Sequence, residues 1–128
     1  MTTTTFPALT KGISWTPSTT GAAGAVLPTG EAISSTTLGI RTDGDTTHAL
    51  GNYQWLVVIP APASTETLAA LNAALTSALP PGNYWLNGEQ TDTLNGQTAT
   101  SAWGATESPF SIPVPIVQPA PPTNFLVA

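Results

Sequence analysis

The sequence has no cysteine, one histidine and very few charged side chains. Without cysteine, the chain can form neither a disulfide nor a thiolate metal site. Only 7% of its 128 residues are charged, whereas an ordinary soluble domain has about 25%. We therefore expect a surface of Thr, Ser, Asn, Gly and Pro, which loses little hydration when it packs against another protein.

Positive charge is especially scarce, because Lys11 and Arg41 are the only cations and the net charge is −5. Nucleic acids and anionic membranes are bound by clustered Lys and Arg, so we expect neither as a partner. No run reaches the roughly 18 apolar residues of a membrane span. The N-terminus lacks a basic and apolar leader, so we expect synthesis in the cytoplasm without a cleaved signal.

The stretch from Arg41 to His48 is the one polar constellation. Asp43-Gly44-Asp45 could begin a calcium loop, but the rest of an EF-hand loop and its closing Glu are missing, so a turn is favoured. His48 has no partner at metal-ligand spacing, and no Gly-X-Ser-X-Gly nucleophile is present. We therefore predict that the protein is not an enzyme and uses no metal or cofactor.

Carboxylates and tryptophans leave two further possibilities open. Paired carboxylates could hydrolyse a glycoside, although the sequence places them on loops or the surface. Tryptophans could form a carbohydrate-stacking platform, and the alternative is packing in the core or at an interface. The carboxylates are Glu31, Glu66, Glu89, Asp92 and Glu107, and the tryptophans are Trp15, Trp55, Trp85 and Trp103.

Alternating apolar and polar residues predict a mainly β chain with three parts. They are an N-terminal arm (1–8), a β-sandwich domain (9–115) and a Pro-rich C-terminal arm (116–128). The strongest strand runs from Tyr53 to Ile59, and its two apolar faces predict a central place in a sheet. Asn95-Gly96 predicts a hairpin, with Asn87-Gly88 as a weaker turn signal.

The hydrophobic period changes at about residues 64–78, where leucines recur at helical spacing. Ser64 or Thr65 could cap the start of this helix, and alanines favour it. Because one helix face is apolar, we expect the helix to cover an opening in the sandwich.

The stretch Leu79-Pro80-Pro81-Gly82-Asn83-Tyr84-Trp85-Leu86 resembles the E–F corner of immunoglobulin-like and fibronectin-type-III-like domains. In those domains a Tyr after a turn bonds through its hydroxyl to upstream backbone. The resemblance implies an Ig-like antiparallel β-sandwich with Leu79, Gly82 and Tyr84 at this corner. It also implies that Trp55 is the buried Trp of the central strand. A different β-sandwich or a jelly-roll variant is the alternative.

The C-terminal arm combines prolines with apolar side chains, whereas a disordered tail is normally polar. We therefore expect both arms to be held, with a neighbouring subunit favoured over the chain's own body. The predicted anchors are Phe6, Pro7, Ile116, Val117, Phe125 and Leu126.

In composition and in its arms the chain resembles, in style, phage capsid decoration (cement) proteins. The resemblance implies a homo-oligomeric structural protein on the virion surface, bound to protein subunits such as a major capsid protein. The alternative is an extracellular, carbohydrate- or cell-surface-binding Ig-like module of a fibre or adhesin, which would expose Trp85 or Trp103.

Overall fold

A computed structural model describes residues 3–48, 51–115, 117–124 and 126–127. Within these residues the chain is mainly β, with two antiparallel sheets and one short α-helix. The predicted β-sandwich with one helix is therefore confirmed. Its strands are β1 (Gly12–Ser14), β2 (Ala32–Thr42), β3 (Trp55–Pro60), β4 (Thr65–Thr67), β5 (Gly82–Leu94), β6 (Gln97–Thr100) and β7 (Ser108–Ile112), and the helix is α1 (Leu68–Ala74).

The larger sheet has the order β3-β2-β5, and the far edge of β5 pairs with β7 near its start and with β6 near its end. Register places Leu38 beside Val57 and Gly88, and Ile40 beside Trp55 and Leu86. Alternate side chains of a strand share a face, so these residues point to the same side. The core lies on that side and includes Leu38, Ile40, Val57, Ile59, Tyr84 and Phe110.

The second layer consists of the β1–β4 pair and α1, and it closes the core through Leu71, which is fully buried. The helix is shorter than predicted at both ends. Thr65–Thr67 pair with β1 instead, and the hydroxyl of Thr67 caps the helix by accepting from the Ala70 amide at 3.1 Å. After Ala74 the backbone becomes extended at Leu75.

Strand β3 lies at an edge of the large sheet, because among the described residues it pairs only with β2. The predicted central position is therefore wrong. Val57 and Ile59 face the core, whereas Leu56 and Val58 on the opposite face are 56% and 61% exposed. An apolar run on both faces of a strand did not distinguish a central strand from an edge with an uncovered apolar face.

The corner before β5 is fixed by Tyr84, which is 1% exposed. Its hydroxyl donates to the carbonyl oxygen of Pro80, four residues upstream. Gly82 has φ of +155°, which residues with a side chain rarely adopt. Leu79 is buried beside this turn, and its amide donates to the Asn72 side chain of α1 at 3.3 Å. The turn thus joins the end of the helix to the longest strand.

The Asn95-Gly96 hairpin between β5 and β6 is confirmed, and both residues have positive φ. Asn87-Gly88 lies inside β5 instead of forming a turn. Strand β7 ends where its partner can no longer pair. Ile112 lies opposite Gly82, so the next pair would join Pro113 to Pro81, and neither has an amide hydrogen.

Candidate functional site

The N-terminal segment attaches to the chain's own body. Ala8 forms a parallel bridge with Ser111 of β7, whose amide donates to Pro7 O at 2.9 Å and whose carbonyl accepts from Leu9 N at 2.8 Å. The Phe6 ring meets Trp85 edge-on, with 5.3 Å between centroids. The body therefore holds residues 6–9, where the sequence favoured a neighbouring subunit. A role for Phe6 and Pro7 in partner binding stays a prediction.

The C-terminal arm behaves differently. Strand β7 ends at Ile112, so the arm is counted here from Pro113, and its described part has no hydrogen bond to the rest of the described chain. Val114 is 77% exposed, Val117 82% and Leu126 91%. Of the other predicted anchors, Ile116 and Phe125 lie outside the described residues. The described part of the arm thus presents apolar side chains to solvent.

The outer face of the large sheet carries a buried ion pair. Arg41 donates to both Glu107 oxygens, from Nε at 2.9 Å and from Nη2 at 2.7 Å, and each side chain is 9% exposed. Arg41 Nη1 also donates to Asp45 O at 3.0 Å. These bonds lower the pKa of Glu107 below its ordinary value, with Tyr53 as a further hydrogen-bonding group. The pair fixes the segment before β7 against the sheet.

Two of the candidate stacking tryptophans are engaged within the chain. The Arg41 guanidinium lies 5.6 Å from the Trp85 ring centroid, Phe6 meets the same ring, and Trp85 Nε1 donates to Asp43 Oδ1 at 2.8 Å. Trp103 packs on Tyr53, with 4.7 Å between centroids. Both side chains are half-buried, so part of each surface faces these neighbours. Carbohydrate binding through Trp85 or Trp103 stays a prediction.

The other two tryptophans lie toward the core side. Trp55 meets Tyr84 edge-on at 5.8 Å between centroids, but it is half-buried and stands on the edge strand β3. This position differs from the buried central-strand Trp that the Ig-like resemblance implies. Trp15 donates from Nε1 to Thr36 Oγ1 at 3.2 Å and lines a cleft.

This cleft, of about 750 Å³, lies between the segment after β1, strand β5 and the segment after β6. Gln90 of β5 connects this strand to the segment after β1 by two hydrogen bonds to Ser18. Its Oε1 accepts from Ser18 N at 2.8 Å, and its Nε2 donates to Ser18 O at 2.9 Å. The same Nε2 also donates to Asp92 Oδ1 at 2.9 Å. Trp15 provides aromatic wall, and Glu31 and Asp92 provide carboxyl groups. We call this feature the Trp15 cleft.

Glu31 and Asp92 are the two carboxyls that the structure brings together. Their hydrogen bond raises the pKa of Glu31 above its ordinary value, and burial and the Asp92 charge act in the same direction. Glu31 therefore retains its proton more readily than an isolated carboxylate does. The sequence did not reveal this pair, because Glu31 precedes β2 and Asp92 lies far along β5, and only their register brings them together.

The other acidic side chains either make hydrogen bonds within a turn or lie on separate strands. Asp45 Oδ1 accepts from the amide and the hydroxyl of Thr47, its Oδ2 contacts His48 Nδ1, and these bonds lower the pKa of Asp45. This is the geometry of the predicted turn. The described residues contain no group of three or more His, Asp or Glu side chains that could hold a metal ion. Glu66 lies on β4 in the small sheet and Glu89 on β5 in the large sheet.

Comparison with protein-family models, with curated proteins and with solved structures finds no match to this chain. Within the described ranges, none of the helical segments has the length and apolar character that crossing a membrane requires. Three surfaces of the described chain are candidates for a function: the C-terminal arm, the Trp15 cleft and the exposed face of β3.

Proposed function

We propose that this protein is a non-enzymatic structural protein that assembles onto other protein subunits through its C-terminal arm. The observation that carries the proposal is the exposure of apolar side chains along the segment after β7. Val114, Val117, Leu126 and Val127 have at least 77% of their surface exposed. Such an arrangement is costly for an isolated chain in water, and it is explained if the segment is covered in an assembly.

The energetics of docking favour this segment over an ordinary tail. Burying a Val or Leu side chain contributes about 1.5–3 kcal/mol, and four such side chains are available in the described part of the arm. Prolines restrict the free arm, so fewer conformations are lost when it binds. No charged side chain follows Glu107, so docking would strip little hydration from ions.

A capsid decoration protein is the more specific form of this proposal. A small, sparsely charged β-sandwich with an exposed apolar arm is a candidate, since such a body can sit on a shell while the arm lies along a neighbouring subunit. An Ig-like classification belongs to the same proposal, and the bond from the Tyr84 hydroxyl to Pro80 supports it. The edge position of Trp55 is a departure from that pattern.

The test is removal of residues 113–128, which leaves every strand and α1 intact. The truncated and full chains are mixed separately with shell particles prepared without the protein, and co-sedimentation measures binding. We expect the truncated chain to stay folded by circular dichroism and to lose binding. A truncated chain that binds the shell with unchanged affinity refutes the role of the arm.

A second candidate function, saccharide binding, is favoured by the Trp15 cleft. Its aromatic wall can stack on a sugar ring, and the Glu31–Asp92 pair can accept hydrogen bonds from hydroxyl groups. A glycan array probed with the full chain tests this candidate. Trp15→Phe retains an aromatic ring in the wall of the cleft, whereas Trp15→Ala removes it. Glycan binding that is lost only in the Ala variant supports the candidate. If the full chain binds no glycan on the array, the candidate is refuted.

A further inference from the structure

The edges of the large sheet differ in whether another segment of the described chain pairs with them. Residues 7–9 lie along β7 and cover that edge, through the bonds to Ser111. The edge formed by β6 is short, and all four of its residues are exposed, with three of them polar. The edge formed by β3 has six residues, no charged side chain and no pairing partner beyond β2 among the described residues. Residues 74–77, at the end of α1 and just after it, lie near its first residues, Trp55 and Leu56. Strand β3 is therefore the apolar edge that has no paired strand on its outer side among the described residues.

An edge of this kind readily pairs with another extended chain. Natural sheets protect their edges with charges, bulges or prolines, and here the stretch from Tyr53 to Ser64 has no charge and its first proline comes only at Pro60. Leu56 and Val58 add an exposed apolar surface next to the unpaired backbone. A strand added there would gain main-chain hydrogen bonds and would cover these two side chains.

The segment after β7 has the properties of such an added strand. The backbone N–H and C=O groups of successive residues in a strand point to opposite edges, and those of Ser111 point away from β5, toward residues 7–9. In extended chain Pro113 and Pro115 fall on the same side as Ser111, so this side has no amide donors. Val114 falls on the other side and keeps its donor. The segment can therefore pair along one edge only, which ends a sheet instead of extending it.

The start of this segment cannot reach β3 of its own chain. Strands β5 and β2 separate β7 from β3, a distance of three strand spacings or about 14 Å. Residues 113–115 span at most about 10 Å when fully extended. The described residues further along the arm also make no hydrogen bond to β3. If the arm covers a β3 edge beginning at Pro113, that edge therefore belongs to a second copy.

We propose that β3 of one copy receives the C-terminal arm of a second copy, beginning at Pro113, as an added edge strand. This inference rests on the proposed function of the arm in assembly and names a second copy of the chain as a partner. Exchange of both arms within a two-fold dimer covers both β3 edges and leaves neither available for further growth.

Cross-linking tests the contact directly, since the natural chain has no cysteine. Val58→Cys and Val114→Cys variants each carry one thiol, and mixing them with a short bis-maleimide should give a cross-linked heterodimer. Val26→Cys, at a side chain 92% exposed and outside the sheet, replaces Val58→Cys in the control mixture. Cross-linking no greater than in the control overturns the inference.

The oligomeric state provides the second measurement. We expect the natural chain to be larger than a monomer by light scattering. We expect Val58→Lys, which places a charge on the exposed face of the edge, to be monomeric while its circular dichroism spectrum stays that of the folded natural chain. A natural chain that is monomeric at its highest soluble concentration overturns the inference. If that monomer still loses shell binding on removal of residues 113–128, the arm's proposed function stands and only the second-copy partner is refuted.

Discussion

Glu107→Gln should destabilise the fold substantially, because it removes the charge that neutralises Arg41. Both side chains are 9% exposed, and the guanidinium makes two bonds to the carboxylate, of 2.7 and 2.9 Å. Removing one member of a buried ion pair costs about 3–5 kcal/mol. Gln retains one oxygen acceptor, and Arg41 keeps its bond to Asp45 O. We therefore expect a loss of about 2–3 kcal/mol, or about 8–12 °C in melting temperature.

Urea unfolding followed by tryptophan fluorescence measures this loss, and Glu89→Gln is the matched control. Glu89 lies on the same face of the sheet without an ion pair among the described residues, so its replacement should change stability little. An effect of Glu107→Gln no larger than that of Glu89→Gln would refute the assigned role of the ion pair.

Because of the Arg41–Glu107 pair, the natural protein should become less stable as the pH falls. The pKa of Glu107 is lower in the folded chain than its ordinary value, because Arg41 stabilises the carboxylate. The contribution of Glu107 to the free energy of unfolding is therefore complete above the pKa of an unfolded Glu, about 4.3. It disappears as the pH falls through the lower pKa of the folded state. Asp45 acts in the same direction through its bonds to Thr47. The free energy of unfolding measured between pH 7 and pH 3 should fall less steeply in Glu107→Gln than in the natural protein.

Two further substitutions test the corner and the outer face. Tyr84→Phe should cost about 1 kcal/mol or somewhat more in urea unfolding, since it leaves the Pro80 carbonyl without its donor; a neutral result would remove the corner interpretation. Gly39→Ala should cost about 1–3 kcal/mol, because the added Cβ would lie 2.4 Å from Tyr53 Cδ2. Gly44→Ala, which meets no atom within 4 Å, is its control, and equal effects would contradict the packing described at Gly39.

Local patterns predicted the parts of the fold that depend on neighbouring residues. Asn95-Gly96 specified its hairpin because both positions need positive φ. The leucine spacing located α1, but its start was misplaced because pairing of Thr65–Thr67 with β1 competed with helix formation. Such pairing depends on residues about 50 positions away, which local periodicity does not contain.

The candidate sites were harder to predict for the same reason. The apolar, proline-rich sequence of the C-terminal arm led us to expect that the arm is held, but its described apolar side chains are exposed in the single chain. Attachment of residues 7–9 to β7 depends on a free sheet edge, which the local sequence does not show. The Trp15 cleft joins Glu31 to Asp92 through strand register, and the uncovered face of β3 follows from its place at the edge. Sequence alone showed that Leu56 and Val58 are apolar but could not show that nothing in the described chain covers them.

The most direct test of the account is a comparison of shell binding by the full chain and by a chain ending at Ile112, with both proteins shown to be folded. We predict that the full chain co-sediments with the shell particles in a saturable way and that the shortened chain stays in the supernatant. Equal binding of the two chains would contradict the central claim that the C-terminal arm is the assembly element.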